Sequence, residues 1–333
     1  MALIFLFPGQ SSRYPGMLEK LAGLHPAARA VVDHASAAVG RDLVAHNRSE
    51  DAYACNLDVQ LAVFVANHMF MAVLHEAGIQ AQLSLGLSLG EYNHLVHIGA
   101  LAFDDALELV QARGRAYDSG PRGWMASIQP LSYDELHEVV SRVRSKGGDV
   151  EIVNLNSPRQ NVIAGTEEAV KQAMAILEDE CYVNPVVIEK QVPMHASMFA
   201  PVSKIYRQAL EQARFTPPRR PYLPNRLGKV LADPTRDQFV DLLATHVAAP
   251  VLWRQSIDHV VEISPDAVFV EVGAKQVLCN LMRRKWHKNP QFATDSREET
   301  GAHFEGVVRE LRELLKLSVA PREGAGGAPC TRS

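Results

Sequence analysis

Gly86-Leu87-Ser88-Leu89-Gly90 lies between a short apolar run, residues 81–85, and a helical stretch, residues 91–98. A G-x-S-x-G sequence between a strand and a helix reads as a nucleophile elbow. Its glycines permit the tight turn, and the helix N-terminus sets backbone N–H groups beside the serine oxygen. Such donors stabilise an oxyanion by about 3 kcal/mol each. Ser84 precedes the motif but lacks flanking glycines.

Outward from the elbow the chain keeps an α/β rhythm. Residues 2–7 (ALIFLF) stop at Pro8-Gly9 and read as a buried parallel strand. Residues 60–75 read as a buried helix, and residues 104–117 as an amphipathic helix with aspartate in its N-cap region. After the breaker Pro121-Arg122-Gly123 the style changes. A strand at 125–128, a helix at 133–145, strands at 150–154 and 161–164, a helix at 167–178 and a strand at 182–188 follow. This β-α-β-β-α-β order is ferredoxin-like. Helices are then predicted at 197–213, 238–246, 277–286 and 304–317, with a buried strand at 268–272. The expected organisation is an α/β-hydrolase-like large domain with a parallel sheet, residues 1–123 and 194–318. A ferredoxin-like small domain, 124–193, is inserted in it, and 319–333 form a flexible Gly/Pro/Ala-rich tail.

Composition narrows the function. The 333 residues are 47% apolar and 22% charged, which suits a globular chain with a full core. Lys and Arg total 34 against 38 Asp and Glu, a net charge of −4, so no basic excess points to nucleic acid. Cys55, Cys181, Cys279 and Cys330 form no C-x-x-C pair, so neither disulfides nor zinc are expected, and the usage fits a reducing cytoplasm. The first seven residues lack a positive flank and are too short for a signal peptide. No apolar run of about 18 residues predicts a membrane span. No H-E-x-x-H or similar spacing predicts a metal, and no cofactor is expected.

A serine nucleophile needs a base. Among thirteen histidines, the residues alone do not separate His195 from His94, His97 or His246. A wider pattern does. Phe7-Pro8-Gly9-Gln10, the elbow running into Glu91-Tyr92, and Arg113 come first. Asn154-Leu155-Asn156-Ser157-Pro158, Val192-Pro193-Met194-His195, Pro250-Val251-Leu252-Trp253 and Glu271-Val272-Gly273 follow in order. From about residue 2 to about residue 285 the chain resembles the malonyl-CoA:acyl-carrier-protein transacylase family, which includes the acyltransferase domains of polyketide synthases.

The resemblance implies a malonyl transfer from CoA to an acyl carrier protein through an ester on Ser88. It implies His195 as general base, with the backbone carbonyl of His246 orienting the imidazole in place of a carboxylate. That role would leave the His246 side chain weakly constrained. It implies an oxyanion hole from the N–H groups of Leu89 and Gln10, and Arg113 as the fork that grips the malonate carboxylate. Met194, Asn156 and Leu87 are placed in the substrate pocket. Arg115, Arg159, Lys190, Lys275 and Arg283 are candidates for a basic rim toward an acidic carrier protein.

The chain also departs from the family. Leu87 stands where the family usually has His, and Ser11-Ser12-Arg13 replaces Gly-Ser-Gln. Trp124 falls in a segment of small residues, and Ala274-Lys275 follows Gly273. These changes are expected to cluster near the pocket and to bear on which acyl group is carried. They favour specialised metabolism over housekeeping fatty-acid synthesis. A trans-acting acyl hydrolase, a transferase of a different acyl group and a silent carrier-docking protein are the competing functions. A retained Arg113 argues against the hydrolase.

Overall fold

The protein is described by a computed structural model over residues 1–48, 50–282 and 286–316. Within these residues the strands are β1 (Leu3–Phe7), β2 (Leu83–Gly86), β3 (Trp124–Ile128), β4 (Val150–Ser157), β5 (Gln160–Gly165), β6 (Val186–Glu189), β7 (Val268–Glu271) and β8 (Gln291–Ala293). The helices that shape the site are α1 (Asn56–Glu76), α2 (Gly90–His97), α3 (Phe103–Asp118), α4 (Tyr133–Ser145), α5 (Glu167–Cys181), α6 (Ala200–Leu210), α7 (Arg236–His246) and α8 (Trp253–Ile263).

Strands β2-β1-β7-β8 form one all-parallel sheet. Every residue of β1 is buried, as a strand covered on both faces must be. Phe5 and Phe7 join the core formed with α1, while Ile4 and Leu6 join the core formed with α8. The continuous apolar run therefore reflects two covered faces. Helix α1 is apolar enough and long enough to cross a bilayer, but 78% of its apolar window is buried inside the fold, so its composition is that of a core helix.

The second sheet has the order β4-β5-β3-β6 and is antiparallel, with α4 and α5 between its strands, as the ferredoxin-like reading requires. It is tied to the larger layer through the backbone. Leu155 N–H donates to Val251 C=O at 3.0 Å, and Val251 N–H donates to Val153 C=O at 2.9 Å. That splice places β4 across the mouth of the elbow.

Several boundaries differ from expectation for local reasons. Helix α3 is capped by Ala102 without a side-chain bond, so Asp104 and Asp105 sit in the first turn, where they meet the helix dipole. Tyr182 adopts a left-handed conformation (φ 53°) that ends α5, so β6 starts at Val186. A short 3-10 turn, Ser197–Phe199, precedes α6, which ends at Leu210. The last helix spans Thr300–Leu314. Met17–Ala22, Pro26–Val39, α8 and β8 are elements that the sequence reading did not identify. The helix expected at 277–286 runs Val277–Met282, and residues 283–285 lie outside the described residues, as does the expected tail.

Candidate active site

The elbow is built by steric necessity. A Cβ on Gly86 would stand 2.0 Å from the carbonyl of Gly90, and one on Gly90 would stand 2.0 Å from the Phe7 carbonyl oxygen. Neither position admits a side chain. Ser88 between them takes a left-handed conformation (φ 52°), the strained geometry that lifts a nucleophile out of the strand line. Asn225 locks this turn. Its side-chain oxygen accepts the Ser88 N–H at 2.8 Å, and its amide donates to Gly86 C=O at 2.6 Å. The loop after β1 packs onto the elbow at Gly9, where a Cβ would sit 2.9 Å from the Leu87 carbonyl oxygen.

Ser88 Oγ lies 2.8 Å from His195 Nε2. On its other side, His195 Nδ1 lies 2.7 Å from the His246 carbonyl oxygen. A carbonyl only accepts, so Nδ1 carries the proton and Nε2 presents a lone pair to the serine. The carbonyl is available because His246 is the last residue of α7, where helix C=O groups have no intrahelical partner. His195 is buried and also left-handed (φ 66°). Burial holds its imidazole well below the ordinary histidine range, aided by His246, Arg113 and Arg226; the His246 carbonyl pulls the other way.

His94 and His97 are excluded from the site. Both face Ser84 Oγ, at 2.7 and 2.8 Å, in the core behind the elbow. Burial lowers each to about 3, so both stay neutral. The His246 side chain corrects the expectation of weak constraint. It is buried, stacks on the His195 ring with centroids 4.8 Å apart, and sets Nδ1 3.1 Å from Glu91 Oε2.

Arg113, on α3, is 1% exposed. Its Nη1 donates to Gln60 Oε1 at 2.8 Å and its Nη2 to Ser88 Oγ at 3.1 Å, while the guanidinium lies 4.3 Å from the Tyr117 ring centre. Among the described residues, no carboxylate comes within ion-pair distance of it. A buried guanidinium without a counter-charge is costly unless a ligand supplies one.

A cavity of about 130 Å³ opens over Ser88 and His195. Gln10, Leu87, Met194 and Asn156 line it, together with Ser11, Arg13, Met125 and Asn154. The side-chain oxygens of Gln10, Asn154 and Asn156 are buried without hydrogen-bond partners, so they offer acceptors to whatever fills the space. Leu89 is fully buried at the N-cap of α2, whose next N–H groups, of Gly90, Glu91 and Tyr92, are taken up by the carbonyls of Leu87, Ser88 and Leu89.

Not all departures from the family reach this cavity. Trp124 lies on the other face of β3, under the ammonium groups of Lys171 and Lys190, because neighbouring strand residues alternate; Met125 faces the cavity instead. Gly273 packs against Pro8 and Asn67, and neither Ala274 nor Lys275 lines the cavity, although Lys275 touches the lining residue Ser11 from behind. Of the basic-rim candidates, Lys190 lines the adjoining cavity beside Gln10 and Arg13, and Lys275 Nζ reaches Ser11 C=O at 3.2 Å. Arg159 instead binds Pro130 C=O at the tip of the small sheet, and Arg115 is exposed on α3. Arg283 lies outside the described residues. Sequence reading missed Asn225 and Gln60. Neither falls in a recognisable motif, and each matters only through a partner more than fifty positions away.

Fold and constellation together are those of a serine-dependent acyl-transfer enzyme. Comparison with known proteins agrees. The acyl transferase domain model matches residues 4–304. The malonyl CoA-acyl carrier protein transacylase of Escherichia coli K12 is 32% identical over 286 residues, covering 84% of this chain and 91% of that protein. The crystal structure of the transacylase of that name from Clostridium perfringens superposes with a TM-score of 0.85 at 27% identity, covering 95% of this chain and 99% of that one. A malonyl-transacylase solved in complex with its type II PKS acyl-carrier protein superposes with a TM-score of 0.82 at 27% identity, covering 93% and 100%. The chain belongs to the acyl transferase family, within the malonyl CoA-acyl carrier protein transacylases.

Proposed function

We propose that this chain transfers malonyl groups from malonyl-CoA to the phosphopantetheine thiol of an acyl carrier protein. The observation that carries the reading is Arg113, buried beside Ser88 with no carboxylate partner among the described residues. A guanidinium fork matches a carboxylate bidentately, and a malonyl group brings one to within reach of the serine.

The steps follow from the hydrogen bonds. His195 Nε2 takes the Ser88 hydroxyl proton as Oγ attacks the thioester carbonyl. The resulting oxyanion lies between the N–H groups of Leu89 and Gln10. The C–S bond breaks, the CoA thiolate leaves with the proton from Nε2, and a malonyl ester remains on Ser88. The carrier thiol then gives its proton to His195 and attacks the ester carbonyl; the bond from the acyl carbon to Ser88 Oγ breaks, and Nε2 returns the proton to Oγ. The His246 carbonyl keeps the base in its working tautomer throughout. Gln10, Asn154 and Asn156 offer acceptors to amide N–H groups of the pantetheine arm, with Leu87 and Met194 as apolar walls for the acyl group. An acyl hydrolase would use the same dyad but has no need of Arg113.

The domain division follows the same reading: a catalytic domain from residues 1–123 and 194–318, and a small domain from 124–193 that closes over the elbow. Cys55, Cys181 and Cys279, none of them in a disulfide among the described residues, support a cytoplasmic enzyme. The altered Leu87, Ser11 and Arg13 at the cavity support a carrier protein of specialised, polyketide-type synthesis.

Intact-protein mass after mixing with malonyl-CoA or acetyl-CoA tests the reading. A malonyl adduct that is absent in Ser88→Ala, forms poorly from acetyl-CoA and moves to holo-carrier protein is expected. Release of free acid from acyl carrier protein without transfer would make the enzyme a hydrolase. A panel of carriers tests the pathway, and a strong preference for a fatty-acid carrier would refute the specialised role.

A further inference from the structure

Glu91 and the His246 side chain have no part in the scheme above, yet both lie buried directly behind it. Glu91 is the second residue of α2, just past the elbow. Its Oε1 accepts from the Tyr222 hydroxyl at 2.7 Å, and its Oε2 faces His246 Nδ1 at 3.1 Å. The His246 ring stacks on His195 at 4.8 Å with the planes 21° apart, while the carbonyl of the same residue holds His195 Nδ1 at 2.7 Å. One residue thus holds the base from two sides, by its carbonyl and by its ring, and a buried carboxylate oxygen faces that ring.

We propose that Glu91, acting through the His246 ring, is the carboxylate of this dyad: a positioning residue that fixes the plane of His195 and offsets the charge it gains on taking the Ser88 proton. The inference rests on the Ser88–His195 reading but not on the choice of acyl group. In a serine triad a carboxylate occupies the Nδ1 side of the histidine directly. Here a carbonyl fills that place and the carboxylate stands one ring further away. Glu91, His246 and His195 are all buried, so the carboxylate's field is weakly screened.

The neighbours define the charge state. Tyr222 and the Asn225 backbone bind Glu91, and Tyr92 adjoins it. Arg113 and Arg226 favour its ionised form. Arg226 is tethered to Pro250 C=O at 2.7 Å. Burial, then Arg113 and Arg226, hold His246 well below the ordinary range, so it stays neutral. The charge of the pair is therefore that of Glu91, which burial pushes up to about 7. Above that pH the carboxylate supports the imidazolium. Below it Glu91 is protonated and the support is lost.

The test is the rate of Ser88 modification between about pH 5 and pH 9, read by the 4-nitrophenyl acetate burst and by fluorophosphonate labelling. Wild type, Glu91→Gln and His246→Gln are compared as full-length protein. Neither probe carries a malonyl group, so a wrong acyl donor cannot imitate failure. Wild type is expected to show an acid limb near pH 7, above that of His195 itself. Glu91→Gln is expected to remove this limb and to slow the reaction at high pH by up to about 10-fold, the value of one unit of base strength. The KM for malonyl-CoA stays within about twofold, because the binding contacts are untouched. His246→Gln keeps the carbonyl and a polar side chain and is expected to lose the same limb, so it carries the test if Glu91→Gln does not fold. Retention of the limb in a folded variant, or a slower rate with an unchanged pH profile, would overturn the proposal. Absence of Ser88 labelling in wild type would overturn the dyad reading itself.

Discussion

Replacement of Arg113 by alanine is expected to collapse the preference for malonyl over acetyl groups. In the free enzyme its guanidinium makes two hydrogen bonds, to Gln60 at 2.8 Å and to Ser88 at 3.1 Å. A malonate carboxylate would add two charge-assisted bonds, each worth about 1.5–3 kcal/mol, or about 3–6 kcal/mol together. Displacing the Ser88 contact offsets about 1 kcal/mol. The remaining ~2–5 kcal/mol corresponds to a loss of about 30-fold to several thousand-fold in kcat/KM for malonyl-CoA. Acetyl-CoA cannot use the fork, so its acylation rate should change far less, and the ratio of the two rates is the readout. Single-turnover acylation of Ser88, followed by mass, measures both. Lysine at this position keeps the charge but not the fork and should fall between. The variant leaves Gln60 Oε1 buried and unpaired, so a stability measurement must accompany the kinetics. An equal fall with both donors would refute the reasoning, because it would make Arg113 a support for Ser88 rather than a clamp on substrate.

Asn225→Ala removes the bridge between Ser88 N–H and Gly86 C=O and leaves both without their partner. It should cost about 2–4 kcal/mol in urea unfolding and lower kcat; an unchanged midpoint and unchanged kcat would show that the elbow holds without it. Gly90→Ala places a Cβ 2.0 Å from the Phe7 carbonyl oxygen, so a folded variant with normal Ser88 acylation would contradict the packing. Stability should fall between about pH 6.5 and pH 5. Burial lowers His68, His75, His94, His97, His195 and His246, so the unfolded chain binds more protons below the ordinary histidine value, and stability drops with pH there. Glu91 and Glu271, raised to about 7, act oppositely over the same range, but two carboxyls do not offset six imidazoles. A urea midpoint that rises from pH 7 to pH 5 would refute this account.

Local sequence determined much of this protein. The elbow was legible because its two glycines are required within a five-residue turn, and strand β1 because two covered faces demand an unbroken apolar run. The ferredoxin-like order was legible because period and breaker residues mark each short element. Strand β8 escaped because three residues carry too short a pattern to be read alone, whereas helix α8 has a legible apolar stripe, Trp253, Ile257 and Val260, that the reading passed over.

The site itself was only partly local. Ser88 could be read from its motif, whereas His195 sits 107 positions away and could not be separated from His94, His97 or His246 until a family resemblance chose it. Trp124 and Met125 are adjacent in sequence, and only strand alternation decides that Met125 faces the cavity. Asn225, Gln60 and Glu91 carry no motif for their tasks. Each acquires its task when the helices and turns packed on the sheet bring distant polar side chains into contact. Backbone conformation and periodicity are set by near neighbours and can be read along the chain. The partner of a buried polar group is set by which surfaces pack, and that is decided only when the whole core closes.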